Sequence, residues 1–248
     1  LGLHVLARGV IFVDLALAQV AALGVTVAFL AGHPIQSEAA YWYALAFTLG
    51  GAALFAASRT RRAPVPQEAI IGIVYAVSAA AAVLAVDRAP QGSEHIKQLL
   101  VGNILTVTPA EVGTLARLYA PIGALHWLVR RPLLDISFDP EGAGARRAVR
   151  AWDFVFYASF GLVVTSSVRL AGVLLVFAYL VVPATAGAVL ARSARGRLAV
   201  GWALGVLVSV GGLAASWAWD LPTGAAVVVA FGALLVLWQP AEVVVICG

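Results

Sequence analysis

Long apolar runs without charge divide the chain. Leu15 to Ser37, Ala40 to Ala57, Ala69 to Val86, Leu170 to Ala191, Leu198 to Trp219 and Leu221 to Ala241 contain no Asp, Glu, Lys or Arg. Each approaches or exceeds the roughly 18–20 apolar residues that carry a helix across a ~30 Å hydrocarbon core. Two weaker runs add to them: Glu111 to Val129, interrupted by Arg117 and His126, and Phe154 to Val168, short but uncharged. The runs are continuously apolar, whereas barrel strands would alternate polar and apolar positions over segments of about ten residues. The pattern predicts an all-α, polytopic membrane protein of about eight transmembrane helices. Leu1 to Ala7 is apolar but too short to span, and reads as the tail of a truncated N-terminal helix. A cleaved signal peptide is the rival reading, without the basic start or small-residue cleavage site it calls for. Leu99 to Thr108, with Asn103 and the following Pro109, reads as a re-entrant or interfacial piece.

Charge assigns the two sides. Twelve of the sixteen Lys and Arg residues fall in four groups: Arg8; Arg59, Arg61 and Arg62; Arg130, Arg131, Arg146, Arg147 and Arg150; and Arg192, Arg195 and Arg197. Two spans separate each group from the next, so all four lie on one side, which the positive-inside rule makes cytoplasmic. The cation-poor segments Gly32 to Glu38, Asp87 to Lys97, a turn near Arg169 and Trp219 to Gly224 then face outward. Residues 1–248 form a single membrane domain, and 130–152 is its longest cytoplasmic loop. The composition fits this picture, with 62% hydrophobic and 11% charged residues against a soluble norm of roughly 25% charged. The net charge of +4 needs no nucleic-acid partner, because the basic residues sit beside spans as topology signals.

Several chemistries lack their residues. The only lysine, Lys97, lies in Ile96-Lys97-Gln98, and no GxxxxGK[ST] loop exists, so any use of ATP requires a separate subunit. No HExxH occurs, and His4, His33, His95 and His126 are scattered. His126 reads as a helix-end residue. Cys247 stands alone and excludes an intrachain disulfide. No cofactor is expected. Gly201 and Gly205 form a GxxxG pair that permits close helix approach, within the subunit or at a dimer seam. Pro183 removes one backbone hydrogen bond from its helix and should kink or locally unwind it.

Three stretches carry a family resemblance. RGVIFVDLALAQVAALG (Arg8 to Gly24), SFDPEGA (Ser137 to Ala143) and SSVRLAGVLLVFAYLVVPATAGAVLA (Ser166 to Ala191) resemble, in order and spacing, segments of the zinc/manganese/iron-type ABC-importer permeases. The resemblance covers nearly the whole chain. It implies a permease subunit, not an enzyme, in the bacterial cytoplasmic (inner) membrane, importing Zn, Mn or Fe ions or their chelates. It also implies a homodimer, two ATP-binding cassette subunits and an extracytoplasmic solute-binding protein as partners. The residues alone lead only to a multispan transporter or channel, and an ion-gradient-driven secondary transporter is the alternative.

Many members of that family read GDALSHA where this chain reads Val13 to Val20. Their acid and histidine are four residues apart, on one helix face where both could share a metal ion. Here Gln19 stands at the histidine position and Leu15 at the acid position, with Asp14 one place earlier. Asp14 and Gln19 are five apart, roughly 140° around a helix, so they should not chelate one ion side by side. Asp14 is expected either to pair with Arg8 or cap a helix near the cytoplasmic boundary, or to serve the translocation pathway. Gln19 either lines that pathway or bonds a neighbouring helix, and no metal ligand set is assigned. In the 130–152 loop the resemblance marks SFDPEGA as the ATPase-coupling element. Asp139-Pro140-Glu141 suits a short helix start, with Asp at the cap, Pro at the first position and Glu at the positive end of the dipole. Phe138 is the expected apolar anchor, and Gly142 shortens the helix. A solvated loop whose arginines only set topology is the competing reading.

Overall fold

The computed structural model describes residues 1–58, 65–87, 104, 107–138 and 149–237. Among these residues there are ten helices and no strand. They are α1 (Gly2–Arg8), α2 (Val13–Leu30), α3 (Glu38–Ser58), α4 (Gln67–Val86) and α5 (Pro109–Leu128). Then follow α6 (Arg130–Phe138), α7 (Val149–Ala171), α8 (Val173–Leu190), α9 (Ala194–Trp219) and α10 (Thr223–Leu237). Six of them, α2, α3, α4, α7, α8 and α9, are long and apolar enough to cross a membrane.

The expected span count is refined by what interrupts the apolar pattern. α5 has 20 residues, carries Arg117 and His126 and is not among the six, while α10 has only 15 described residues. Residues 238–248, the rest of the run to Ala241, lie outside the described residues, as does most of Leu99 to Thr108. Pro109 occupies the first turn of α5, behind a capping box in which Thr108 and Glu111 satisfy each other's amides. The expected turn near Arg169 is displaced. α7 runs through Arg169 to Ala171, and the chain breaks at Gly172 with φ 80°, a left-handed conformation that glycine adopts without steric cost.

The largest change concerns the 130–152 segment. Residues 130–138 are helical, and α7 already begins at Val149. Leu133 and Ile136, three apart and both buried, give α6 one apolar face, and Pro132 sits in its first turn, where a missing amide costs nothing. An apolar stripe of only two residues does not register as a helix beside spans of twenty.

α2 is the centre of the packing. It lies against α3, α4 and α7, and their facing residues Val13, Ala16, Leu17, Phe55, Ile71, Phe156 and Phe160 form the main core. α8 joins this core through Val173 and Val176 and a second one through Leu175 and Ala178, with Val208 of α9 and Phe231 of α10. In lipid the helices gain little from burying apolar surface against each other, so close fit and interhelical hydrogen bonds must hold them. Thr48 of α3 bonds Thr165 of α7 at 2.9 Å, and Gln67 of α4 donates to the Phe55 carbonyl at 3.0 Å and the Tyr157 hydroxyl at 3.1 Å. The GxxxG pair works inside the subunit. A Cβ on Gly201 would come within 2.9 Å of the Pro183 carbonyl oxygen, and one on Gly205 would meet the proline ring at 3.9 Å. Pro183 lies inside α8, which continues past it to Leu190. The opposite face of α9 carries Trp202, Leu207 and the 90% exposed Trp217, a surface suited to lipid or another protein.

Candidate functional site: the cytoplasmic end of the bundle

α1 ends at Arg8, α2, α4 and α7 begin at Val13, Gln67 and Val149, and α6 lies between α5 and α7 in sequence. By the arginine pattern these ends face the cytoplasm. Gly9, with φ 65° at the end of α1, turns the chain so that Val10 to Phe12 lead into α2 within a few residues.

Two carboxylates meet the positive end of α2. Asp14 is 2% exposed, and its Oδ1 accepts the Leu15 backbone N–H at 2.8 Å, one of the first-turn amides that a helix cannot satisfy itself. Glu68, in the first turn of α4, accepts the Phe12 backbone N–H at 3.0 Å through Oε1. Asp14 Oδ2 and Glu68 Oε2 are both buried without a hydrogen-bond partner among the described residues. The helix dipole favours anionic groups here, but a carboxylate oxygen held away from water without a donor is expensive. Glu68 escaped the sequence reading because 54 positions separate it from Asp14. The available signal was topological: its place just after the Arg59 to Arg62 group puts it at the same membrane depth.

The expected pairing of Asp14 with Arg8 is replaced. Arg8 Nη1 donates to Asp153 Oδ1 of α7 at 2.9 Å, with side-chain exposures of 1% and 0%. Arg8 Nε donates to Ser137 Oγ of α6 at 2.9 Å, and the guanidinium lies 4.0 Å from the Phe156 ring centroid. The reason is geometric. Arg8 closes α1 before the Gly9 turn, so it reaches across to α6 and α7, while Asp14 lies beyond the turn inside α2.

Gln19 is half-buried on the same helix as Asp14. Among the described residues no cluster of three His, Cys, Asp or Glu could hold a metal ion. Phe138 is the last residue of α6, and Asp139, Pro140, Glu141 and Gly142 lie outside the described residues. His126 is in the last turn of α5, where its Nε2 makes a 2.8 Å hydrogen bond with Ser159 Oγ of α7, a helix-end contact.

Comparison with known proteins places this architecture. The chain is 30% identical over 162 residues to an uncharacterized membrane protein of Synechocystis sp., covering 65% of this chain and 58% of that one. It is 27% identical over 215 residues to a probable iron transport system membrane protein of Haemophilus influenzae, covering 86% and 77%. It is 27% identical over 145 residues to the manganese import system permease protein ScaB of Streptococcus pneumoniae, covering 57% and 51%. The chain thus spans little more than half the length of two of these relatives. PsaBC from Streptococcus pneumoniae, solved in complex with Fab, shares the fold with a TM-score of 0.76 at 22% identity, over 95% of this chain and 83% of that one. Residues 1–239 match the ABC 3 transport family, and the chain belongs to that family of membrane transport proteins.

Proposed function

We propose that this chain is the membrane-spanning permease subunit of an ATP-driven importer for divalent transition-metal ions, Zn, Mn or Fe, or their chelates, in the bacterial cytoplasmic membrane. The family match across residues 1–239 carries the reading. The iron and manganese systems named among the relatives support the substrate class. The chain is a transport subunit rather than an enzyme. With no phosphate-binding loop in its sequence, it works with a separate ATP-binding cassette subunit, a second copy of itself and an extracytoplasmic solute-binding protein.

Asp14 and Gln19 serve the pathway at different heights and on different faces of α2. Phe138, Asp139, Pro140, Glu141 and Gly142 take the ATPase contact. The position of α6 supports that role, since its buried Leu133 and Ile136 anchor in the bundle the helix that ends at Phe138.

Cells expressing the chain with its ATPase subunit and solute-binding protein should accumulate manganese, zinc or iron above cells carrying those two partners alone, as read by elemental analysis. The F138A/E141A variant should lose about tenfold or more of that excess, equivalent to ~1.4 kcal/mol of lost coupling, while still assembling as a folded dimer. No accumulation of any of the three metals would refute the substrate class. Wild-type accumulation by F138A/E141A would remove the coupling role from this segment.

A further inference from the structure

We propose that Arg8 is a positioning residue for energy coupling, clamping α6 and α7 to the α1–α2 turn so that the two helices flanking residues 139–148 move with the start of the pathway helix. The inference rests on the reading of that segment as the ATPase contact.

Through this one side chain α1 meets two helices more than 120 positions further along the chain. Its Nε reaches Ser137 of α6, next to the last residue of that helix, and its Nη1 reaches Asp153 in the first turns of α7. Ser137 is itself tied twice more. Its hydroxyl donates to the Leu133 carbonyl at 2.8 Å, and His4 Nδ1 of α1 lies 2.9 Å from it. The Phe156 ring covers the guanidinium, and both ionised side chains are sealed from solvent. A buried ion pair is weak evidence for stability, because apolar residues of similar volume fill such a site equally well or better. What a planar guanidinium adds is direction, a rigid fork that addresses two partners at once. Here the fork spans the two helices on either side of the segment that receives mechanical work. Four residues beyond Arg8 comes Phe12, whose amide binds Glu68, and two further on Asp14. A displacement of α6 and α7 is therefore handed to the carboxylates at the start of α2.

The test uses the complete transporter, permease with its ATPase subunit and solute-binding protein, in proteoliposomes with Mn²⁺ as the probe. ATP hydrolysed per Mn²⁺ moved and the thermal midpoint are both read. R8M/D153L removes both charges and should leave the midpoint near that of the parent while raising the ATP:Mn²⁺ ratio about tenfold or more. R8K keeps the charge beside Asp153 but not the fork, and S137A keeps the ion pair but not the α6 tether. Both should raise the ratio about threefold. Parent-like ratios in R8K and S137A overturn the inference, even if R8M/D153L does not fold. A parent-like ratio in R8M/D153L overturns it as well, leaving the pair as a fold element. F138A/E141A, run alongside, separates the two ideas. If it uncouples while the Arg8 variants do not, the clamp fails and the coupling segment stands. If the Arg8 variants uncouple and it does not, the segment assignment fails, and with it the inference in this form.

Discussion

Asp14→Asn should lower metal uptake by about tenfold or more, a loss of ~1.4 kcal/mol or more in the rate-limiting step, while leaving the folded chain at least as stable as the parent. The two effects point in opposite directions because of how Asp14 is held. Among the described residues only its Oδ1 has a donor, the Leu15 amide, and its Oδ2 is buried without one. Neutralising the group relieves a desolvation cost, and the asparagine oxygen can keep the bond to Leu15. If Asp14 were there to hold the fold, its removal would lower stability and leave uptake intact. Uptake assays and thermal midpoints on the same preparations separate these cases. Full uptake with a lowered midpoint would return Asp14 to a structural role.

Gly187→Leu should be the most damaging single change in the α8–α9 half of the bundle, costing about 3 kcal/mol or more through overpacking. A Cβ at this position would collide with the Arg197 carbonyl oxygen, a backbone atom that cannot rotate aside. Separating α8 from α9 is the only relief, and the fit of Gly201 against Pro183 would open with it. Gly211→Leu provides the contrast, since a Cβ there meets nothing within 4 Å. Thermal unfolding in detergent should show a large drop for the first and little for the second. Equal midpoints would mean that the α8–α9 contact is not close in the folded protein.

The parts of this architecture that can be read from sequence are those governed by the solvent. Charge-free runs mark the helices that meet lipid, which is why α2, α3, α4, α8 and α9 fall where the apolar pattern puts them. Arginine grouping orders their ends. What depends on one or two residues escapes: Gly172 breaks a run that hydropathy sees as continuous, and Leu133 with Ile136 makes a helix of a segment expected to be a loop. The cytoplasmic cluster is less legible still. Arg8 and Asp153 stand 145 positions apart, and Asp14, six residues from Arg8, offers the nearer and wrong partner. Only the Gly9 turn decides between them, and its consequence is three-dimensional. The spacing argument for Asp14 and Gln19 needed only that both lie on one helix, and α2 contains both.

The source of energy is the centre of the functional account, and it can be measured directly. Proteoliposomes holding the chain with its ATPase subunit and supplied with the solute-binding protein should take up Mn²⁺ only when given hydrolysable ATP, and should continue when ionophores collapse the proton and sodium gradients. Uptake that proceeds without ATP and stops when those gradients are dissipated would contradict the account and identify a secondary transporter.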